Sequence, residues 1–321
     1  MYRIINIFIF LSVFLCLAPT LQAEEGGSGH YMPGSMASFM DGVPKDPAFI
    51  TRFNYLHYDG SIDANRSIPI AGMSVLNGNA KSDAYALTMS WAPDWDMGEK
   101  WSYAMGATIP WVSIKVEAGG ATSLSGKTLE GSLSDKENGF GDIVLMPLMF
   151  NYNVNADLNT SLRLGIYAPT GEYEVGRLAN TGKNFWTFEP TAAIIYFGQK
   201  NGREASLFFG VDFNAENEDT KYTSGIQAHL DGTLAQHFPL WGGLAGGGLS
   251  GFWYQQLSGD SGEGASFGDF KARAHGIGPV LSYTSKVADK DIFAELKWLH
   301  EFDNKNRLEG DTVFFKIMAI F

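Results

Sequence analysis

A chain of 321 residues with 45% hydrophobic, 18% charged and 14% aromatic side chains is long enough to bury a sizeable core. Its mean hydropathy of −0.08 and its 38 glycines exclude a bundle of membrane helices. Thirty-five acidic residues against 23 basic ones give a formal net charge of −12, and no basic run offers phosphates a footprint, which excludes nucleic acid as a partner.

The chain starts with Arg3, an apolar stretch from Ile4 to Ala18, and the small-residue exit Leu21-Gln22-Ala23. This pattern predicts a secretory signal peptide over residues 1–23. The stretch is shorter than the roughly 20 apolar residues that span a bilayer. The only cysteine, Cys16, lies inside it and follows Leu15, where a lipoprotein signal needs a small residue. The mature chain then carries 22 basic and 35 acidic residues, a net charge of −13, and no thiol for a disulfide or a thiolate metal site.

Residues 24–47 are rich in Gly, Ser, Met and Pro and precede any strand pattern. Met32, Met36, Phe39 and Met40 form an adaptable apolar surface, with Met32 and Phe39 the expected ligand contacts. Two placements are open at this stage: a plug folded back into a lumen, or a periplasmic leader.

From residue 48 onward the signal is alternation with a period of two, broken by turn residues. Tyr85, Leu87, Met89 and Trp91 alternate with Ala84, Ala86, Thr88 and Ser90; Leu162, Leu164 and Ile166 alternate with Ser161, Arg163 and Gly165; Leu207, Phe209, Val211 and Phe213 alternate with Ser206, Phe208, Gly210 and Asp212. A greasy face outward and a small or polar face inward is the pattern of a membrane barrel. The count predicts an all-β fold, an antiparallel up-and-down barrel over 48–321. Its twelve strands fall near 48–58, 82–94, 100–114, 140–154, 157–169, 184–198, 203–213, 221–237, 241–257, 268–287, 290–303 and 309–321. Connections alternate between long and short, as outer loops and periplasmic turns do.

The last strand alternates through Val313, Phe315, Ile317 and Ala319 to a terminal Phe321. Such an aromatic end is what the barrel-assembly machinery of the outer membrane recognises. Trp91, Trp95, Trp101, Tyr103 and Trp111 gather around one short turn, as an interfacial girdle does. A secreted β-sandwich also alternates, but it explains neither the terminal aromatic nor the loop lengths.

Chemistry-bearing motifs are weak. Gly259-Asp260-Ser261-Gly262 lies in a loop without a triad context. Gly246, Gly248 and Gly251 satisfy G-x-G-x-x-G but lie inside a strand rather than before a helix. The six histidines show no zincin spacing, so neither a cofactor nor a metal is assigned. Alternation nominates Arg52, Arg163, Glu189, Asp231, Lys271, Arg273 and Glu295 as luminal residues, with His229, His275, Lys297 and Lys316 beside them. Opposed charges of this kind form either a stiffening salt-bridge network or a selectivity constriction.

With these residues in view, the chain resembles the outer-membrane family named after the meta-pathway of phenol degradation. The resemblance rests on Glu25-Gly26-Gly27-Ser28-Gly29-His30-Tyr31-Met32-Pro33-Gly34, Phe185-Trp186-Thr187-Phe188-Glu189-Pro190, Tyr254-Gln255-Gln256-Leu257-Ser258-Gly259-Asp260-Ser261-Gly262 and Gly276-Ile277-Gly278-Pro279. It implies an outer-membrane barrel that moves small hydrophobic or aromatic compounds and brings no catalytic residues with it. The expected function is a diffusion channel in the outer membrane of a Gram-negative bacterium, in contact with lipid and lipopolysaccharide. The competing readings are a structural or adhesive barrel without transport, and an outer-membrane hydrolase.

Overall fold

The computed structural model describes residues 28–62, 67–71, 73–119, 121–124, 127–130, 133–265 and 271–321; the expected leader, 1–23, lies outside them. Among the described residues the chain forms β1 (Ala48–Ser61), β2 (Ser67–Ile70), β3 (Met73–Leu76), β4 (Gly78–Ala92), β5 (Trp101–Ala118), β6 (Ala121–Leu124), β7 (Lys127–Glu130), β8 (Leu133–Phe140), β9 (Ile143–Asn153), β10 (Leu158–Ala168), β11 (Thr187–Phe197), β12 (Arg203–Asn214), β13 (Gln227–Leu240), β14 (Gly243–Gln256), β15 (Arg273–Val287), β16 (Lys290–Lys305) and β17 (Glu309–Ile320). One short 3-10 helix, Phe39–Asp41, precedes them.

Strands that are greasy on one side bury that side in hydrocarbon only if every backbone amide is paired, and a closed sheet does this without an edge. Here β1 pairs with β4 on one side and with β17 on the other, from Ile50↔Ile320 to Ser61↔Glu309, which closes the ring. Both β8 and β9 pair with β5 and are interrupted at 141–142, so they are two halves of one strand. The wall is therefore a twelve-stranded antiparallel barrel. β2, β3, β6 and β7 form a separate four-stranded sheet from the connections flanking β4 and β5.

Short turns at 93–100, 154–157, 198–202, 241–242 and 288–289 mark one rim, where Phe49 and Phe321 also exchange two backbone hydrogen bonds. Most connections at the other rim are longer. The expected strands are all present, and the differences lie mainly at this long-loop rim: β4 begins earlier than 82, and β5 runs on to Ala118. There strands outrun the bilayer and their outward face turns polar, as with Ser113↔Asn138 and Lys115↔Lys136, while Val116 and Ala118 join an apolar cluster inside, so the alternation continues with its sense reversed.

Large apolar side chains face outward (Leu87, Trp91, Leu162, Phe209, Leu249, Leu281, Trp298), while Thr88, Ser161, Glu189, Asp231, Glu295 and Lys297 are buried inside. One detail of the aromatic girdle differs from expectation. Trp111 lies ten positions beyond Trp101 along β5. At about 3.3 Å per residue and a tilt of about 40°, this is a climb of about 25 Å, the height of the apolar band. Trp111, packed edge-on against Phe140 at 4.9 Å, thus belongs to the long-loop girdle, and Trp91, Trp95 and Trp101 to the other. Leu162 stands near the middle of the band, more than half exposed. Leu162→Arg should cost about 2–4 kcal/mol in reversible unfolding from lipid vesicles. An unchanged unfolding midpoint would mean that this face does not meet hydrocarbon.

Candidate functional site

The lumen is occupied by residues 28–43, which run from the long-loop rim toward the short-turn rim. At the upper end the Lys183 ammonium donates to Ser28 Oγ at 2.8 Å. His30 lies between Asp142 (Nε2 to Oδ2, 2.9 Å) and Thr187 (Nδ1 to Oγ1, 2.7 Å) and stacks on Tyr167. Asp142 is available because the β8–β9 break frees the backbone there; it also accepts the amides of Thr170, Gly171 and Lys183. Tyr31 stacks on His229 with ring centroids 3.6 Å apart and donates its hydroxyl to Asp231 at 2.6 Å. Glu189 accepts the Tyr167 hydroxyl at 2.6 Å and lies 3.2 Å from His229 Nε2. Two glycines make room for the rings. A Cβ on Gly210 would stand 2.2 Å from His229 Nε2, and one on Gly246 2.4 Å from His237 Cε1.

The lower half is dominated by cations. Ser38 caps the short helix, and the Phe39 amide donates to Glu204, whose other oxygen meets His237 Nε2 at 2.8 Å. The Phe39 ring packs between Phe197 and His237. Asp41 receives Arg52 at 2.7 Å and Lys316 at 2.9 Å, and its carbonyl accepts Arg163 at 2.5 Å. Lys297 donates to the Met36 carbonyl at 2.7 Å and lies 3.5 Å from Glu295, which is 3.4 Å from Lys316. Four cations thus converge on two carboxylates and two carbonyls. Tyr31, Ala37, Ser38, Met40, Phe208 and Tyr254 are at most 2% exposed, so no water-wide passage runs beside them.

An apolar cavity of about 140 Å³ remains between this segment and the wall near the long-loop rim. Met32, Pro33, Leu56, Val116, Leu178 and Phe314 supply much of its lining, and Glu301, Arg307 and Lys183 its polar border.

Of the residues nominated from sequence, Arg52, Arg163, Glu189, Asp231 and Glu295 point into the lumen, in two groups: Glu189 with Asp231, and Arg52 and Arg163 with Glu295 around Asp41. Lys271 and Arg273 do not. Lys271 precedes β15, in the 257–272 connection; Ala272 and Ala274 take the inward positions, and Arg273 turns outward to Asp303 at 2.9 Å. At this end of β15 the inward face is apolar, with Ala272 and Ala274 packed among Tyr31, Phe252, Tyr254 and Leu299, so the charged set faces out and the sense of the alternation is reversed. Met32 lines the cavity, whereas Phe39 is packed at the opposite end and does not. Tyr31, Asp41 and Asp212 were not nominated. For the first two, only the excess of luminal charge on the wall hinted that a partner was needed. Asp260 of the Gly-Asp-Ser-Gly segment serves its own loops, accepting Tyr222, the Gly225 amide and Gln256.

Burial alone would raise the Asp41 carboxyl, but Lys316, Arg52 and Lys297 outweigh it and hold the group well below its usual 3.8. A depressed carboxylate contributes fully above the undocked value and loses its contribution as pH falls through the docked one. The segment should therefore stay docked from pH 8 to pH 4 and loosen only in stronger acid. A spin label at Lys45→Cys, with the single native cysteine replaced by Cys16→Ser, should keep its line shape down to pH 4; release at pH 5–6 would show that Asp41 is not held this way.

A family model described as "Putative MetA-pathway of phenol degradation" matches residues 64–317. An outer membrane channel from Pseudomonas putida F1 has the same fold, with a TM-score of 0.62 and 16% identity over 91% of this chain and 100% of that one. The beta domain of the Bordetella autotransporter BrkA (TM-score 0.49, 11% identity, 86% and 100% covered) and a Pseudomonas aeruginosa FadL homologue (0.41, 11%, 95% and 99%) also match. No curated protein sequence matches the chain. With 254 of its 321 residues covered by the model, the chain belongs to the family of the MetA pathway of phenol degradation.

Proposed function

We propose that the barrel is a passive diffusion channel for small apolar molecules, single-ring aromatics among them, in the outer membrane of a Gram-negative bacterium. The observation that carries this reading is the cavity. At about 140 Å³, and lined mainly by apolar side chains, it matches the volume of about 150 Å³ in which a dry protein cavity holds benzene. A glucose-sized solute would have to leave its hydroxyls unpaired against Leu56, Val116 and Phe314. The Pseudomonas putida channel of the same fold supports conduction as the role of this architecture.

In this reading the long loops face outward and gather solute, the cavity selects it, and displacement of residues 28–43 opens the way down. Transport in this reading is passive and follows the gradient. The exposed Phe321 is the handle for the barrel-assembly machinery, and the charged outer rim meets lipopolysaccharide.

The filled lumen favours a second reading, a sealed barrel with a structural role. Proteoliposome uptake separates the two: toluene should enter faster than through protein-free vesicles and glucose should not, whereas a sealed barrel admits neither. Deleting residues 28–40 should raise single-channel conductance several-fold, since it removes most of the segment that fills the lumen. Unchanged conductance would mean that the segment does not limit passage.

A further inference from the structure

We propose that Glu189, Asp212 and His229 form a binding site for one divalent first-row metal ion at the upper end of the lumen, beneath Tyr31. Their donor atoms lie within 4.8 Å of one another and all three side chains are buried. His229 Nε2 is 3.2 Å from Glu189 Oε1, yet it makes no well-formed hydrogen bond among the described residues. Metal bonds of about 2.1 Å place adjacent donors about 3.0 Å apart in an octahedral shell and about 3.4 Å apart in a tetrahedral one. A nitrogen and a carboxylate oxygen 3.2 Å apart have the spacing of neighbours in such a shell.

The surroundings are those of a built site. A metal-bound histidine offers its other ring nitrogen to a carboxylate, which fixes the ring. Here Nδ1 faces Asp231 Oδ2 at 3.4 Å, and that oxygen is itself held by the Tyr31 hydroxyl. The second oxygen of Glu189 is held by Tyr167, leaving the first aimed at the cluster. Gly210 leaves the ring the space to stand where it does.

Charge asks for a cation as well. Among the described residues no lysine or arginine nitrogen lies within 4.0 Å of Glu189 or Asp231, and Asp231 Oδ1 is buried without a hydrogen-bond donor. Glu189 and Asp231 therefore share one imidazole, and buried charge that is only half compensated is costly. One imidazole with two carboxylates suits Zn²⁺, Mn²⁺ or Fe²⁺ better than an all-oxygen Ca²⁺ shell. Because Tyr31 closes the site, the ion would tie the N-terminal segment to β11, β12 and β13.

The test uses the full chain in detergent, stripped with chelator and loaded with Zn²⁺. One equivalent should survive gel filtration, and X-ray absorption at the zinc edge should read one imidazole among oxygen ligands. Asp231→Asn, which keeps the packing, should weaken Zn²⁺ affinity by about 10- to 100-fold; Glu189→Gln should abolish the retained equivalent. Less than a tenth of an equivalent retained by the parent protein, an all-oxygen shell, or the same affinity in both variants would overturn the site. The parent measurements decide even if a variant fails to fold.

Discussion

A side chain facing hydrocarbon must be apolar, and in an alternating strand this forces its neighbours, polar ones included, into the interior. The barrel thereby collects on its inner wall charges that water cannot reach, and taking each out of water costs several kcal/mol unless it meets a partner. The wall does not supply enough partners: among the described residues Glu295 is the wall carboxylate that meets Lys297 and Lys316, and no wall carboxylate lies within 4.0 Å of Arg52 or Arg163. The N-terminal segment supplies the rest, through the Asp41 carboxylate and the carbonyls of Met36 and Asp41. Pairing between segment and wall is the interaction on which the filled lumen depends.

The two halves of the lumen differ in sign. Below, cations outnumber carboxylates around Asp41; above, Glu189, Asp212 and Asp231 surround His229. The same segment answers both, with an acid at its lower end and with His30 and Tyr31, which meet carboxylates, at its upper end. Its docking is therefore specific in direction and register, because a slip of one residue would place Asp41 away from Lys316 and Tyr31 away from Asp231. The apolar cavity lies beside the segment rather than along the barrel axis, so selection by size and polarity occurs where Met32 and Pro33 meet the wall.

Alternation made the barrel legible from the amino-acid sequence, since lipid on one side demands a strict period of two and Leu162, Phe209 and Trp91 obey it. It was equally informative about which wall residues turn inward within the band: Arg52, Arg163, Glu189, Asp231 and Glu295. It failed at Lys271 and Arg273, which lie above the band, where the outward face meets solvent and the inward face is an apolar cluster around Ala272 and Ala274. The contacts of residues 28–43 carry no period at all. Asp41 finds Lys316 across 275 positions, and Tyr31 finds Asp231 across 200. Such pairings are set by how the closed barrel brings distant strands around the segment, which local sequence does not encode. Asp212 was visible as an inward residue, but its place beside Glu189 and His229 follows only from the registers that join β11, β12 and β13.

The pairing of Asp41 with Lys316 is open to direct measurement by a double-mutant cycle of Asp41→Asn and Lys316→Met, read by reversible unfolding in lipid. Each single change leaves a buried charge without its partner and should cost about 3–5 kcal/mol, and the double change should cost clearly less than the sum. Strictly additive losses would contradict the account, because they would mean that the N-terminal segment and the wall do not hold each other through this charge pair.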